Sequence, residues 1–285
     1  MYIRRALACL AAVGFLAQSQ PAPRPDAEYA SHVSAIKKAL PSFTVLVQKP
    51  FVVAGDDTAQ RVKGSAVGTV QWAVDHLKKD FFEKDPADLI DVYLFKDKES
   101  YDTYTKDYFH DTPTTPYGYY SPAHKALIMN IGTGGGTLVH EIVHPFMAAN
   151  FPACPTWFNE GLASLYEQSA EKEGHIWGLP NWRLAGLKEA LKAGAAPDFK
   201  TMCAMDTATF YGDKKGANYS TARYLCLYLQ DTGVLRQFYK DFVKNQKTDP
   251  GGYDTLQKTL AGVGDKDMAG FRKKWEQWAL GLQYP

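Results

Sequence analysis

The sequence predicts an α+β fold: a small mixed sheet interleaved with helices, a histidine-bearing helix at the junction, and a mostly helical second half. Three observations carry that expectation. Runs rich in β-branched and aromatic residues stand at 43–53 (FTVLVQKPFVV), 89–95 (LIDVYLF) and 125–131 (KALIMNI). Apolar residues at helical spacing occupy segments between them. Beyond Thr137 no further strand run stands out, and helical patterns follow one another to the C-terminus.

Residues 1–19 read as a secretory signal peptide. Arg4 and Arg5 supply a basic start, residues 6–17 are apolar but too few to span a bilayer, and Ala17 and Ser19 offer the small residues a signal peptidase reads. A secreted or periplasmic location follows as the expectation. Cys9 lacks the spacing of a lipoprotein signal. Pro21, Pro23 and Pro25 mark 20–28 as a linker. That leaves 29–285 as a single domain, with an α/β half to about residue 150 and a helical half over 151–285.

A short amphipathic helix over 30–40 ends at Pro41. The 43–53 run makes one strand or a broken pair. Asp56, Asp57 and Thr58 can cap a long helix to about Phe82, with Val62, Ala66, Val70, Ala73, Val74 and Leu77 at helical spacing. Residues 98–108 form a second helix. Pro113, Pro116, Gly118 and Pro122 make 110–123 a loop or hairpin. A glycine-rich turn over 132–136 leads into a helix from Thr137. Helices over 158–170, 181–193, 219–230, 233–245 and 266–280 complete the chain.

The chain of 285 residues carries 32 basic and 31 acidic residues, for a net charge of +1. That balance argues against a nucleic-acid binder, and no long single-sign run points to an anionic membrane surface. No second apolar stretch is long enough to cross a bilayer, so no stable membrane insertion is expected. No oligomerisation helix stands out, and a monomer is expected. Cys154, Cys203 and Cys226 would remain after export. One disulfide plus a free thiol is the expectation, with Cys154–Cys203 favoured because both lie in irregular segments and Cys226 sits in a helical apolar run.

The chemistry concentrates at His140-Glu141-Ile-Val-His144. On a helix, residues four apart point within about 40° of each other, so both imidazoles share one face. Two such nitrogens can reach one zinc ion at about 2.0–2.1 Å. Glu141 lies about 100° round from His140, beside the metal rather than on it, where a carboxylate can take a proton from the attacking water. A catalytic zinc needs a third protein ligand and an open position. Glu160, in Trp157-Phe-Asn159-Glu160-Gly161-Leu-Ala163, is the best candidate: its apolar neighbours carry it inward, and a buried carboxylate requires a positive partner. Gly161 would let this helix pack closely on the histidine helix. His175, Glu167 and Glu171 are weaker alternatives. Pro145 cannot donate to the Glu141 carbonyl and should kink the helix after His144.

His-Glu-x-x-His followed by Asn159-Glu160-Gly161-x-Ala163 resembles the gluzincin clan of metallopeptidases, and most of all the bacterial peptidase MA-like proteins. The resemblance is strong over 125–170, about a sixth of the chain. It implies a zincin-like fold, one catalytic Zn2+ on His140, His144 and Glu160, and Glu141 as general base of a peptidase. It also implies that 125–131 is an edge strand along which a peptide or protein substrate lies by strand addition. The 15 residues between His144 and Glu160 are fewer than in the thermolysin-like and aminopeptidase branches. Gluzincins often stabilise the oxyanion with a Tyr or His from the helical half. Tyr219, expected just ahead of a helix, is the first candidate, with Tyr211, Tyr224 and His175 competing. Tyr117, Tyr119 and Tyr120 border the expected cleft. Two rival readings stand beside this one: a zinc-containing module that grips a peptide or wall fragment without cutting it, and a zinc hydrolase of a non-peptide amide or ester.

Overall fold

The computed structural model describes residues 24–113 and 115–284. The expected signal peptide and the first residues of the expected linker lie outside the described residues. On the described side the linker is shorter than expected. Helix α1 (Asp26–Ala39) already begins after Pro25, with Asp26 and Glu28 in its first turn, where the helix dipole favours acids.

The 43–53 run is a pair. Strands β1 (Thr44–Gln48) and β2 (Phe51–Gly55) form an antiparallel hairpin. The Thr58 hydroxyl caps α2 (Ala59–Ser65) by accepting from the Arg61 N–H. A π-helical stretch over Ala66–Gln71 joins α2 to α3 (Trp72–Asp80), so the expected long helix carries a widened turn in its middle. Then come β3 (Ile90–Phe95), α4 (Lys98–Asp107), β4 (Gly118–Ser121), β5 (Ala126–Asn130) and α5 (Gly136–Asn150).

The sheet is mixed, in the order β1-β2-β3-β5-β4, with β2, β3 and β5 parallel and the outer strands antiparallel to their neighbours. Residues 125–131 therefore do not form the edge, contrary to expectation. Every residue of β5 is buried between β3 and β4, as an apolar run without a polar face requires. The edge on that side of the sheet is β4, where Tyr120 is exposed and one open side is tolerable. Side chains alternate across the sheet. Val53, Val92, Leu94, Leu127 and Met129 face α2, α3 and α5, while Val52, Ala54, Tyr93, Phe95 and Ile128 face α1 and α4.

The second half opens with α6 (Thr156–Leu165). The helix expected to reach residue 170 stops there and gives way to a hairpin, β6 (Ser169–Lys172) and β7 (His175–Gly178). Glu173 and Gly174 both take positive φ, 54° and 74°, which suits a two-residue hairpin turn. The polar stretch has no strand signature of its own. It is held because Ile176 is buried and its N–H donates to the buried Asp80 carboxylate at 3.1 Å.

Helices α7 (Arg183–Lys192), α8 (Phe199–Cys203), α9 (Thr207–Phe210), α10 (Lys215–Asp231), α11 (Leu235–Asn245), α12 (Tyr253–Gly262) and α13 (Met268–Gly281) follow. The sequence reading missed α8, α9 and α12. The short α8 and α9 rest on Asp198 and Asp206 as capping side chains rather than on apolar periodicity. Helix α10 starts earlier than expected, so Tyr219 lies within it. Among the described residues no helix is long and apolar enough to cross a membrane.

Two packing expectations are corrected. Cys154, Cys203 and Cys226 are all free, so the Cys154–Cys203 disulfide is not formed. Each thiol has its own surroundings: Cys154 Sγ points at the Pro155 carbonyl at 3.6 Å, Cys203 is buried at the end of α8, and Cys226 is buried in α10. Gly161 does not serve the approach to α5. A β-carbon there would stand 3.1 Å from both the Ala222 carbonyl and Cys226 Sγ, so its glycine lets α6 press against α10. Pro145 lies inside α5 without ending it.

Candidate metal centre

Helix α5 delivers His140 and His144 one turn apart, with ring centroids 4.9 Å from each other. His140 is buried and His144 partly so. Leu138, Val139, Ile142, Val143 and Phe146 bury the rest of the helix in the core and fix its rotation. Helix α6 delivers Glu160, which is 5% exposed. Its own anchor is aromatic: Trp157 stacks on Phe242, Phe158 meets Phe238 edge-on, and the Trp157 indole donates to the Gly251 carbonyl at 2.9 Å.

Glu160 Oε2 lies 3.3 Å from His140 Nε2, and Glu160 Oε1 lies 3.9 Å from His144 Nε2. One ligand atom from each of the three residues falls within 4.8 Å of the others. Two ligands at about 2.0–2.1 Å from a tetrahedral zinc stand about 3.3–3.4 Å apart, so the His140–Glu160 spacing fits. Glu160 Oε2 is also buried without a hydrogen-bond partner. A buried carboxylate oxygen without a hydrogen-bond partner, beside one imidazole and with a second imidazole near its other oxygen, suits a metal ion.

The outward nitrogen of His144 has a hydrogen-bond partner, and that of His140 faces a carboxylate. His144 Nδ1 lies 3.0 Å from Asn159 Oδ1, which suits a proton on Nδ1 and leaves Nε2 for the metal. Glu167 Oε1 lies 3.2 Å from His140 Nδ1, at an angle too bent for a hydrogen bond. Arg183 grips Glu167 with two donors, Nε to Oε2 at 2.8 Å and Nη2 to Oε1 at 2.7 Å, and Asn181 Nδ2 adds a third at 3.0 Å. Such partners orient a metal-ligating histidine.

The electrostatics follow from burial and pairing. Burial alone would lower the pKa of His140, yet the nearby carboxylates of Glu160 and Glu167 raise it to about 10. Burial would raise Glu160, yet the neighbouring histidines and the Tyr211 hydroxyl hold it down to about 2. Glu167 is likewise held to about 2, against burial, by Arg183 and His140. The buried carboxylates of Glu160 and Glu167 are thus held in their ionised form beside His140.

Glu141 is partly exposed, and among the described residues it makes no hydrogen bond or ion pair, so its carboxylate is free. The Tyr211 hydroxyl donates to Glu160 Oε1. The Tyr219 ring lies 6.0 Å from the Tyr211 ring and under the Arg183 guanidinium, whose centre is 5.0 Å from it. Burial, then the Glu160 charge and Tyr211, push the Tyr219 phenol up.

Neither a family model nor a curated protein matches this chain. The geometry therefore stands on its own residues. It brings together His140, His144 and Glu160, with Tyr211 and Tyr219 alongside. It sets the weaker candidates apart. Tyr224 is fully buried, with its hydroxyl on the backbone of Asn181. His175 pairs with Asp80, which Arg236 also holds at 3.1 Å. Glu171 reaches toward His76 at 3.4 Å. Glu167 backs His140 instead of joining the ligand group. The sequence reading missed Arg183 and Asn181 altogether. Asn159 stood in the quoted motif, and its place beside Glu160 was the one available signal.

Proposed function

We propose that this chain is a zinc metallopeptidase of the gluzincin type, with His140, His144 and Glu160 holding the ion and Glu141 as general base. One observation carries the reading: the buried, unpartnered Glu160 Oε2 stands 3.3 Å from His140 Nε2, with a second histidine one turn along the same helix.

A bound zinc would polarise the scissile carbonyl and lower the pKa of the attacking water toward about 7. The chain supplies the rest. The backbone of β4, at the sheet edge, pairs with an extended peptide and holds its scissile bond over α5. Glu141, free of other partners, takes the proton from the attacking water and later returns it to the leaving amine. Tyr211, whose hydroxyl already reaches Glu160, is the first candidate to donate to the developing oxyanion. Asn159 and the Glu167–Arg183 pair keep the imidazoles aimed.

The test is cleavage of a quenched peptide library by protein loaded with one equivalent of zinc, beside Glu141→Gln. Wild type should cleave, chelator should stop it, and Glu141→Gln should bind zinc normally yet be inactive. Cleavage by the loaded Glu141→Gln protein would remove Glu141 from the mechanism. A wild type that binds zinc and peptide without cutting would turn the reading to a binding module.

A further inference from the structure

Two cavities lie along α5, one lined by Thr137, Val139 and the Glu167 that reaches His140, the other by His144 and Asn159. The larger, about 560 Å³, opens at the N-terminal end of α5 and is lined by Thr69, Trp72, Tyr117, Thr137, Gln168 and Trp182, with Glu167 in its wall. The smaller, about 360 Å³, lies past His144 and is lined by Tyr120, Pro145, Ala148 and Ala149. Tyr117 immediately precedes β4 and Tyr120 lies on it, so the edge strand runs from one cavity to the other. A peptide paired with β4 would meet both.

We propose that the larger cavity is a specificity pocket for a large uncharged aromatic side chain, tyrosine or tryptophan, of a peptide lying along β4. This rests on the peptidase reading and deepens it. Of the residues lining the pocket, Glu167 alone is charged, and Arg183 and Asn181 already occupy both its oxygens. A lysine or aspartate guest would find no free counter-charge there. Its volume far exceeds that of an alanine or valine side chain. Its walls pair aromatic faces with hydroxyl and amide groups, which suits a flat ring carrying an O–H or N–H. Trp182 is 57% exposed and Tyr117 49%, so ring surface is available. The Arg183 guanidinium sits 4.1 Å from the centre of the Trp182 ring and steadies it. The second cavity, lined by Ile90, Tyr120, Pro145, Ala148 and Ala149, suits an apolar residue on the other side of the scissile bond. Its acid, Asp88, is paired with Lys125 at 2.6 Å.

The experiment is calorimetric titration of the Glu141→Gln protein, with and without zinc, using capped hexapeptides of alanine that carry tyrosine, lysine, aspartate or a further alanine at the fourth position. The tyrosine peptide should bind at least about tenfold more tightly than the other three, a difference of about 1.4 kcal/mol. Trp182→Ala and Tyr117→Ala, both surface changes, should each erode that advantage while circular dichroism stays unchanged. Equal affinities, a preference for the charged peptides, no binding of the tyrosine peptide, or an advantage that survives both substitutions would overturn the proposal. So would tighter binding of an alanine peptide bearing an O-linked sugar at that position. Failure of the peptidase reading shows separately: Glu141→Gln protein would keep the tyrosine preference while zinc-loaded wild type left the same peptide intact.

Discussion

The Glu167 carbonyl oxygen occupies the space a β-carbon on Gly136 would need, at 2.1 Å. This is backbone against backbone, so no side-chain rotation relieves it. The contact closes the segment after α6 onto the first turn of α5, and it lets the Glu167 carboxylate reach His140. Gly136→Ala is expected to force the two segments apart, at a cost of about 1–3 kcal/mol, and to weaken zinc binding through His140. Urea unfolding and competition titration against a chelator would measure both; normal values for each would show the contact to be dispensable.

Arg183→Met strips Glu167 of two donors in a setting where its side chain is only 10% exposed. The three residues proposed to hold zinc are untouched. Zinc affinity should fall about 10- to 100-fold, the usual effect of losing support behind a metal-bound histidine. Arg183→Lys should recover only part of the loss, because an ammonium cannot reproduce the two-point grip. Full recovery by lysine would mean that charge alone matters at this position.

Zinc should stabilise the folded chain in proportion to its affinity, by about 4.1 kcal/mol at a free concentration 1,000 times the Kd. Glu160→Ala should abolish the rise in melting temperature on adding zinc, and metal analysis after dialysis should find the variant empty. A retained zinc-dependent shift would exclude Glu160 as a ligand.

Tyr211→Phe and Tyr219→Phe separate the two phenols beside Glu160. Loss of an oxyanion donor costs about 10²–10³ in kcat. That loss is expected for Tyr211→Phe, with KM little changed, and a smaller one for Tyr219→Phe, whose ring packs against Phe210 and beneath Arg183. Steady-state kinetics that reversed this order would give the oxyanion role to Tyr219.

The pattern of strands and helices was legible where a local period carried it. The runs of β3 and β5 lie within a residue of their expected places, because buried strands need unbroken apolar stretches. The β6–β7 hairpin was not legible. Its stability comes from Asp80, almost a hundred positions earlier, and no local signal in Ser169–Lys172 announces it. The disulfide expectation failed for a related reason: cysteine count and compartment say what is permitted, while pairing depends on where the sulfurs end up.

By itself the sequence determined the α+β class and the placement of His140, Glu141 and His144 about one helix, since helical geometry is local and four residues always return a side chain to nearly the same face. Beside that motif, and with the family resemblance, it also offered Glu160 as the best candidate for a third ligand. Only the tertiary structure decided that β4 forms the sheet edge, that Glu167 and Arg183 back His140, and that Tyr211 reaches Glu160. Those relationships join residues far apart in the chain. They depend on which backbones can touch, at Gly136 and Gly161 above all, and close packing between distant segments leaves no periodic trace in either segment alone.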